Sequence, residues 1–237
     1  ARLINMFNFL NLDNINYDCL PYKIENSLNL NKCRDDVLQN LNSFQHFKYF
    51  NYRKYFENKS INYFEPESKI MNETMKQVFS LSSPFFYEIS NSFYRTQKMI
   101  YALLLKALTI KTVHCKKSAD NKFKQLIYFA NNELGIILER ELTICMYYFQ
   151  NNQSAREFFA KADYNPNRSI QKTLDNINGM AWDLAHIRIA EAESNILPID
   201  TIELSIIWFL SFDKKLINVL KLCPVKKILI WDKRIQI

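Results

Sequence analysis

The chain has 237 residues and a formal net charge of +7, from 31 Lys and Arg against 24 Asp and Glu, with 48% hydrophobic and 14% aromatic residues. That is enough chain to bury a sizeable core in one large domain or two small ones, and the composition excludes a disordered polypeptide. Only two glycines are present, Gly135 and Gly179, so neither a P-loop nor a dinucleotide fingerprint can be written, which excludes nucleotide-driven motors and nicotinamide enzymes of the usual kinds.

In chain order, the amino end alternates through Leu3, Ile4, Met6, Phe7, Phe9, Leu10 and Leu12, which predicts a strand ending at Asp13. Pro21 follows, and residues 22–42 are expected to be helical, with Ile24, Leu28, Val37, Leu38 and Leu41 on one side. The stretch 43–68 is crowded with Phe, Tyr and Asn, carries Pro66, and reads as irregular. Helical spacing returns over 68–81 and again over 84–112, where Met99, Ile100, Leu103, Leu104 and Ala107 form an apolar stripe. A basic patch of Lys111, His114, Lys116 and Lys117 comes next. Beyond it the pattern predicts a helix over 119–134, a short apolar strand at 135–138 and a helix over 139–150. Asn165-Pro166-Asn167 marks a turn, and a long helix is expected over 169–193. After Pro198 the period changes to a strand at 203–210, a short helix at 213–222 and a last strand at 225–231. Strands at 3–13, 135–138, 203–210 and 226–231 among helices argue for an α/β domain with a short, largely parallel sheet.

The five cysteines, Cys19, Cys33, Cys115, Cys145 and Cys223, lack zinc-knuckle spacing and are odd in number. They read as reduced thiols of a reducing compartment. The longest apolar stretch, 99–110, is interrupted by Lys106 and is too short to span a bilayer, and no basic segment precedes an apolar run at the amino end. The expectation is a cytoplasmic protein with no membrane partner. His46, His114 and His186 are the only histidines, none beside a nucleophile elbow, and no His-Glu-x-x-His is present.

Two acids stand in places that a solvated helix does not explain. Asp183 follows Trp182 in a helix apolar over most of its circumference, where an unpaired carboxylate is costly. Asp213 lies just past the carboxyl end of an apolar strand, where open α/β sheets place their ligands. Each has a structural alternative: Asp213 as the N-cap of its helix, Asp183 as a carboxylate paired with Arg188 or His186. With Asp13 they make an oxygen-rich set suited to Mg²⁺ or Mn²⁺.

The order of these elements resembles the PIN-domain nucleases, best over 170–231. Ala181-Trp182-Asp183-Leu184-Ala185-His186 is similar to the family's small-residue helix with an Asp, and Ser211-Phe212-Asp213-Lys214 to its Ser/Thr-x-Asp-Lys. The resemblance implies a PIN-like core from 1–42 and 119–237, with a large, mainly helical insertion at 43–118. It implies a metal-dependent endonuclease that cleaves RNA or DNA phosphodiesters, in the manner of a toxin or antiphage-defence effector. Asp183, Asp213 and Glu141 would hold Mg²⁺ or Mn²⁺ together with Asp13 or Asp18, and Glu133 and Glu139 are alternatives to Glu141. Arg188, Lys214 and Lys215 would supply cations at the lip of the site, and the +7 charge would draw the polyanion. A regulatory protein or a second copy of the chain is a further expected partner. The alternative is a catalytically inactive nucleic-acid-binding or assembly subunit. Aromatic and basic residues interleave over 44–64 (Phe44, Phe47, Lys48, Tyr49, Tyr52, Arg53, Lys54, Tyr55), either to stack bases or to pack a core.

Overall fold

The computed structural model describes residues 18–27, 30–163, 165–194, 211, 213–224, 229–231 and 234–236. The chain divides into two compact units, Ala1–Tyr94 and Arg95–Ile237.

In the first unit, helices α1 (Leu20–Ser27), α2 (Leu30–Lys48), α3 (Tyr52–Asn58) and α4 (Glu67–Leu81) lead into the start of α5 (Pro84–Val113). Helix α4 shows why such a segment is helical: Ile70, Thr74, Val78 and Leu81 recur at turn spacing and are all buried. Helix α2 packs against α4, and Val37, Leu41, Val78 and Leu81 form an apolar cluster joined by Tyr22, Leu38 and Phe86. Burying one such Leu or Val contributes about 1.5–3 kcal/mol relative to exposure. The segment expected to be irregular is largely helical. Asn51 caps α3 by accepting from the Lys54 N–H at 3.2 Å, and Lys59 closes it in the left-handed region at φ 62°. The Lys59 ammonium then rests over the rings of Tyr55 and Phe56. Pro84 suits the first position of α5, where no N–H is needed.

The second unit holds the rest of α5, α6 (Ala119–Phe129), a π-helical turn (Ala130–Leu134), α7 (Glu139–Phe149), α8 (Gln153–Phe159), α9 (Ile170–Ser194) and α10 (Lys214–Leu220). Ile100, Leu103, Leu104 and Ala107 of α5 are fully buried, as the stripe predicts. Helix α6 packs on α7, α7 on α8, and α8 on α10. Tyr148 of α7 stacks on Phe159 of α8 with ring centres 3.9 Å apart. The polar stretch after 150 contains α8, whose cap, Asn152, accepts from the N–H groups of Ser154 and Ala155. The expected turn at Asn165 is present, with the Asn167 N–H bonded to the Asn165 side chain at 2.9 Å.

The α/β expectation, a PIN-like short parallel sheet flanked by helices, is overturned: the chain is a helical protein. Residues 135–138 are not a strand. Gly135 adopts φ 65° as the cap of the π turn, the Ile136 N–H returns to the Ala130 carbonyl at 3.1 Å, and Leu138 already opens α7. Backbone groups that a sheet would need are thus bonded within the connection. The expected final strand is described over β1 (Leu229–Trp231), but it pairs antiparallel with β2 (Arg234–Gln236), Ile230 opposite Ile235. This pair of three-residue strands is the extent of strand pairing in named elements among the described residues, and no parallel ladder accompanies it there. The strands expected at 3–13 and 203–210 lie outside the described residues.

Candidate nucleic-acid interface

The acids expected to hold a metal are placed as follows. Asp13 lies outside the described residues. Asp18, in the first unit, pairs with the Lys23 ammonium at 2.9 Å. Glu141, in the first turn of α7, is fully buried, and both of its oxygens accept from Arg188 of α9, at 3.2 Å from Nε and 2.6 Å from Nη2. Arg188 also lies 3.7 Å from Glu191, which pairs in turn with Arg140, so two Arg and two Glu form one network between α7 and α9. Burial alone would lower the Arg188 pKa, but the bonds and charge of Glu141 outweigh it and raise it. The same burial, with the Glu141 charge beside it, pushes the Cys145 thiol up.

Asp213 is the N-cap of α10: its Oδ1 accepts from the N–H groups of Lys215 at 2.7 Å and Leu216 at 3.3 Å. Asp183 is half-buried on α9 and is engaged by neighbours of its own. Glu133 and Glu139 are exposed, as are Lys214 and Lys215. Among the described residues no three His, Cys, Asp or Glu side chains come together as a metal site would require. The carboxylate oxygens of Glu141 and Asp213 are directed at a guanidinium and a helix end.

Several aromatic residues of 44–64 are packing groups, whereas Phe64 is exposed. Tyr52 is buried, the Tyr49 hydroxyl donates to Glu73 at 2.7 Å, and Phe50 packs against Tyr55 and Tyr63.

Charge is divided unevenly between the units. Residues 1–94 carry ten Lys and Arg and ten Asp and Glu, whereas residues 95–237 carry 21 and 14. The whole net charge therefore belongs to the second unit. There the end of α5 and the start of α6 gather lysines with distinct roles. Lys111 is half-buried: its Nζ donates to the Tyr148 carbonyl at 2.6 Å and to the Asn151 side chain at 3.1 Å, and it lies 3.7 Å from the Tyr148 ring centre. Burial lowers its pKa against the pull of Asp163. Lys122 is buried, and its Nζ donates to the Cys115 carbonyl at 3.2 Å, fixing the turn between α5 and α6.

That turn presents Lys116 and Lys117 to solvent, and Ser118 caps α6 by accepting from the Asn121 N–H. Because Lys122, Leu126 and Ala130 face inward, the 3.6-residue period turns Asn121, Lys124 and Tyr128 outward within an arc of about 60°. All three are exposed, Tyr128 to 64%, with Ile127 beside it at 38%. No ion pair among the described residues engages Lys116, Lys117 or Lys124. A cation, an amide and an aromatic ring on one helix face, with two exposed lysines in the turn before it, can hold phosphates and meet a base. The basic patch before α6 is visible in the sequence, but its continuation along the helix is not found by following apolar stripes. The polar spacing 121, 124, 128 is the signal that marks it.

No family model, curated protein or solved structure matches this chain. No helix among the described residues is long and apolar enough to cross a membrane.

Proposed function

We propose that the chain is a nucleic-acid-binding protein that does not itself hydrolyse its ligand, and that α6 and the basic turn before it meet the nucleic acid. The observation that carries this is the coincidence of Asn121, Lys124 and Tyr128 on one exposed face of α6, after the exposed Lys116 and Lys117 of the preceding turn, within the unit that holds all of the net charge. Cations free of acidic partners are available to displace counterions from a phosphate chain, which is the main source of affinity for a polyanion. Two of the acids that hydrolysis would draw on are engaged in holding the helices: Glu141 with Arg188, and Asp213 with the first turn of α10.

The test is fluorescence anisotropy of labelled RNA and DNA oligonucleotides with the full chain across a salt series. Binding should weaken steeply between about 50 and 200 mM salt. Lys117→Ala and Lys124→Ala, each deleting one cation that neutralises a phosphate, should each reduce the log–log slope by about 0.7–0.9. Absence of binding at low salt refutes the proposal. The same mixtures with Mg²⁺ or Mn²⁺ should leave the oligonucleotide intact. Metal-dependent cleavage abolished by a chelator and by Asp183→Asn would restore the nuclease reading in its place.

A further inference from the structure

We infer that the α6 surface takes single-stranded rather than duplex nucleic acid, with a base stacked on the ring of Tyr128. The inference rests on the proposed nucleic-acid binding and names the form of the ligand. Its basis is an exposed aromatic ring one helical turn beyond Lys124, on the same helix face as that lysine. Lys124 and Tyr128 are four residues apart, neighbours on one helix face separated by about 6 Å of axial rise. Asn121 lies about 10.5 Å from Tyr128 along the axis. A cation at Lys124 and a flat apolar surface at Tyr128 match the chemistry of one nucleotide, phosphate at one end and base at the other.

In a duplex that base is already stacked between its neighbours and offers the ring only an edge. On a single strand its face is free, and any base has one, so the stacking is tolerant of sequence. The neighbouring Ile127, half-exposed, extends the apolar ground beside the ring. A helix built to read a duplex groove would instead present amide or guanidinium groups that match base edges in pairs. This stripe presents one amide, Asn121, a full two turns from the ring.

The experiment compares a labelled single strand of about twelve nucleotides with the same strand annealed to its complement, each titrated with the full chain, as RNA and as DNA. The variants are Tyr128→Leu, Tyr128→Phe and the double variant Lys117→Ala/Lys124→Ala, all at exposed positions, with circular dichroism to confirm helicity. Tyr128→Leu keeps apolar bulk and removes the aromatic face, and it should weaken single-strand binding by about five- to a hundredfold while leaving duplex binding within about twofold. Tyr128→Phe should retain single-strand affinity. If Tyr128→Leu weakens both forms equally, or neither, while the lysine variant weakens both, the stacked base is refuted and the nucleic-acid reading stands. If the lysine variant changes neither affinity, the nucleic-acid reading falls and this inference falls with it.

Discussion

Replacing Arg188 by Met should be among the most damaging single changes in the second unit. Glu141 is 0% exposed and receives two bonds from Arg188, so the variant leaves a buried carboxylate without its cation. Breaking such a pair from one side costs about 3–5 kcal/mol, a large share of the 5–15 kcal/mol that holds a typical domain together. Glu141→Leu should cost less, about 1–2 kcal/mol, because the stranded guanidinium is partly open to water and keeps Glu191 at 3.7 Å. The double variant Glu141→Leu/Arg188→Met should be milder than Arg188→Met alone, because apolar groups of similar volume replace a pair whose desolvation nearly cancels its attraction. Urea denaturation followed by circular dichroism, arranged as a double-mutant cycle, measures all three. Arg188→Met costing under about 1 kcal/mol, or no more than Glu141→Leu, would refute the argument. The order also separates this network from a bare carboxylate cluster, in which removing a negative charge stabilises the fold.

Asp213→Ala should destabilise by about 1 kcal/mol and Asp213→Asn by only a few tenths, because Asn still accepts from the α10 N–H groups; thermal melts check both. A catalytic Asp213 would instead show its loss in activity with either change. Gly179→Ala should stabilise α9 by about 0.5–1 kcal/mol, since a Cβ at that position meets nothing within 4 Å; a lowered Tm would show that the position has no such room. His46 donates from Nδ1 to the Asn42 carbonyl and lies 2.9 Å from Glu67, and these bonds raise its pKa above 6.5. Its stabilising contribution is therefore full below pH 6.5 and lost as pH rises through the raised folded value. His46→Gln should flatten the pH dependence of stability above pH 6.5, read from melts across a pH series.

Long helices were legible in the sequence because burial imposes a period. The bounds expected for α4, α5 and α9 fall within a residue or two of Glu67–Leu81, Pro84–Val113 and Ile170–Ser194. Short elements were not. Ile136, Ile137 and Leu138 have the composition of a strand, but three apolar residues carry too little periodicity to separate a strand from a connection. The crowding of Phe and Tyr over 43–68 hid α3, whose signals are the Asn51 cap and a lysine in the left-handed region rather than an apolar stripe. The acids show a different limit. The order of Glu141, Asp183 and Asp213 along the chain resembles a metal site, yet order does not fix distance. The structural alternative at Asp213, the helix cap, is present, and Arg188 pairs with Glu141, 47 residues away, as well as with Glu191 on its own helix.

The turn that Lys122 fixes also carries an exposed thiol, Cys115. Cys145 is buried, and Cys19 and Cys223 are half-buried. Burial raises the pKa of all three, that of Cys19 to about 12 with the help of Asp18. Thiolate is the reactive form, so these three are slow nucleophiles beside Cys115. A maleimide dye would thus prefer Cys115 to them, one residue from Lys116, and its emission would report directly on whatever settles against α6.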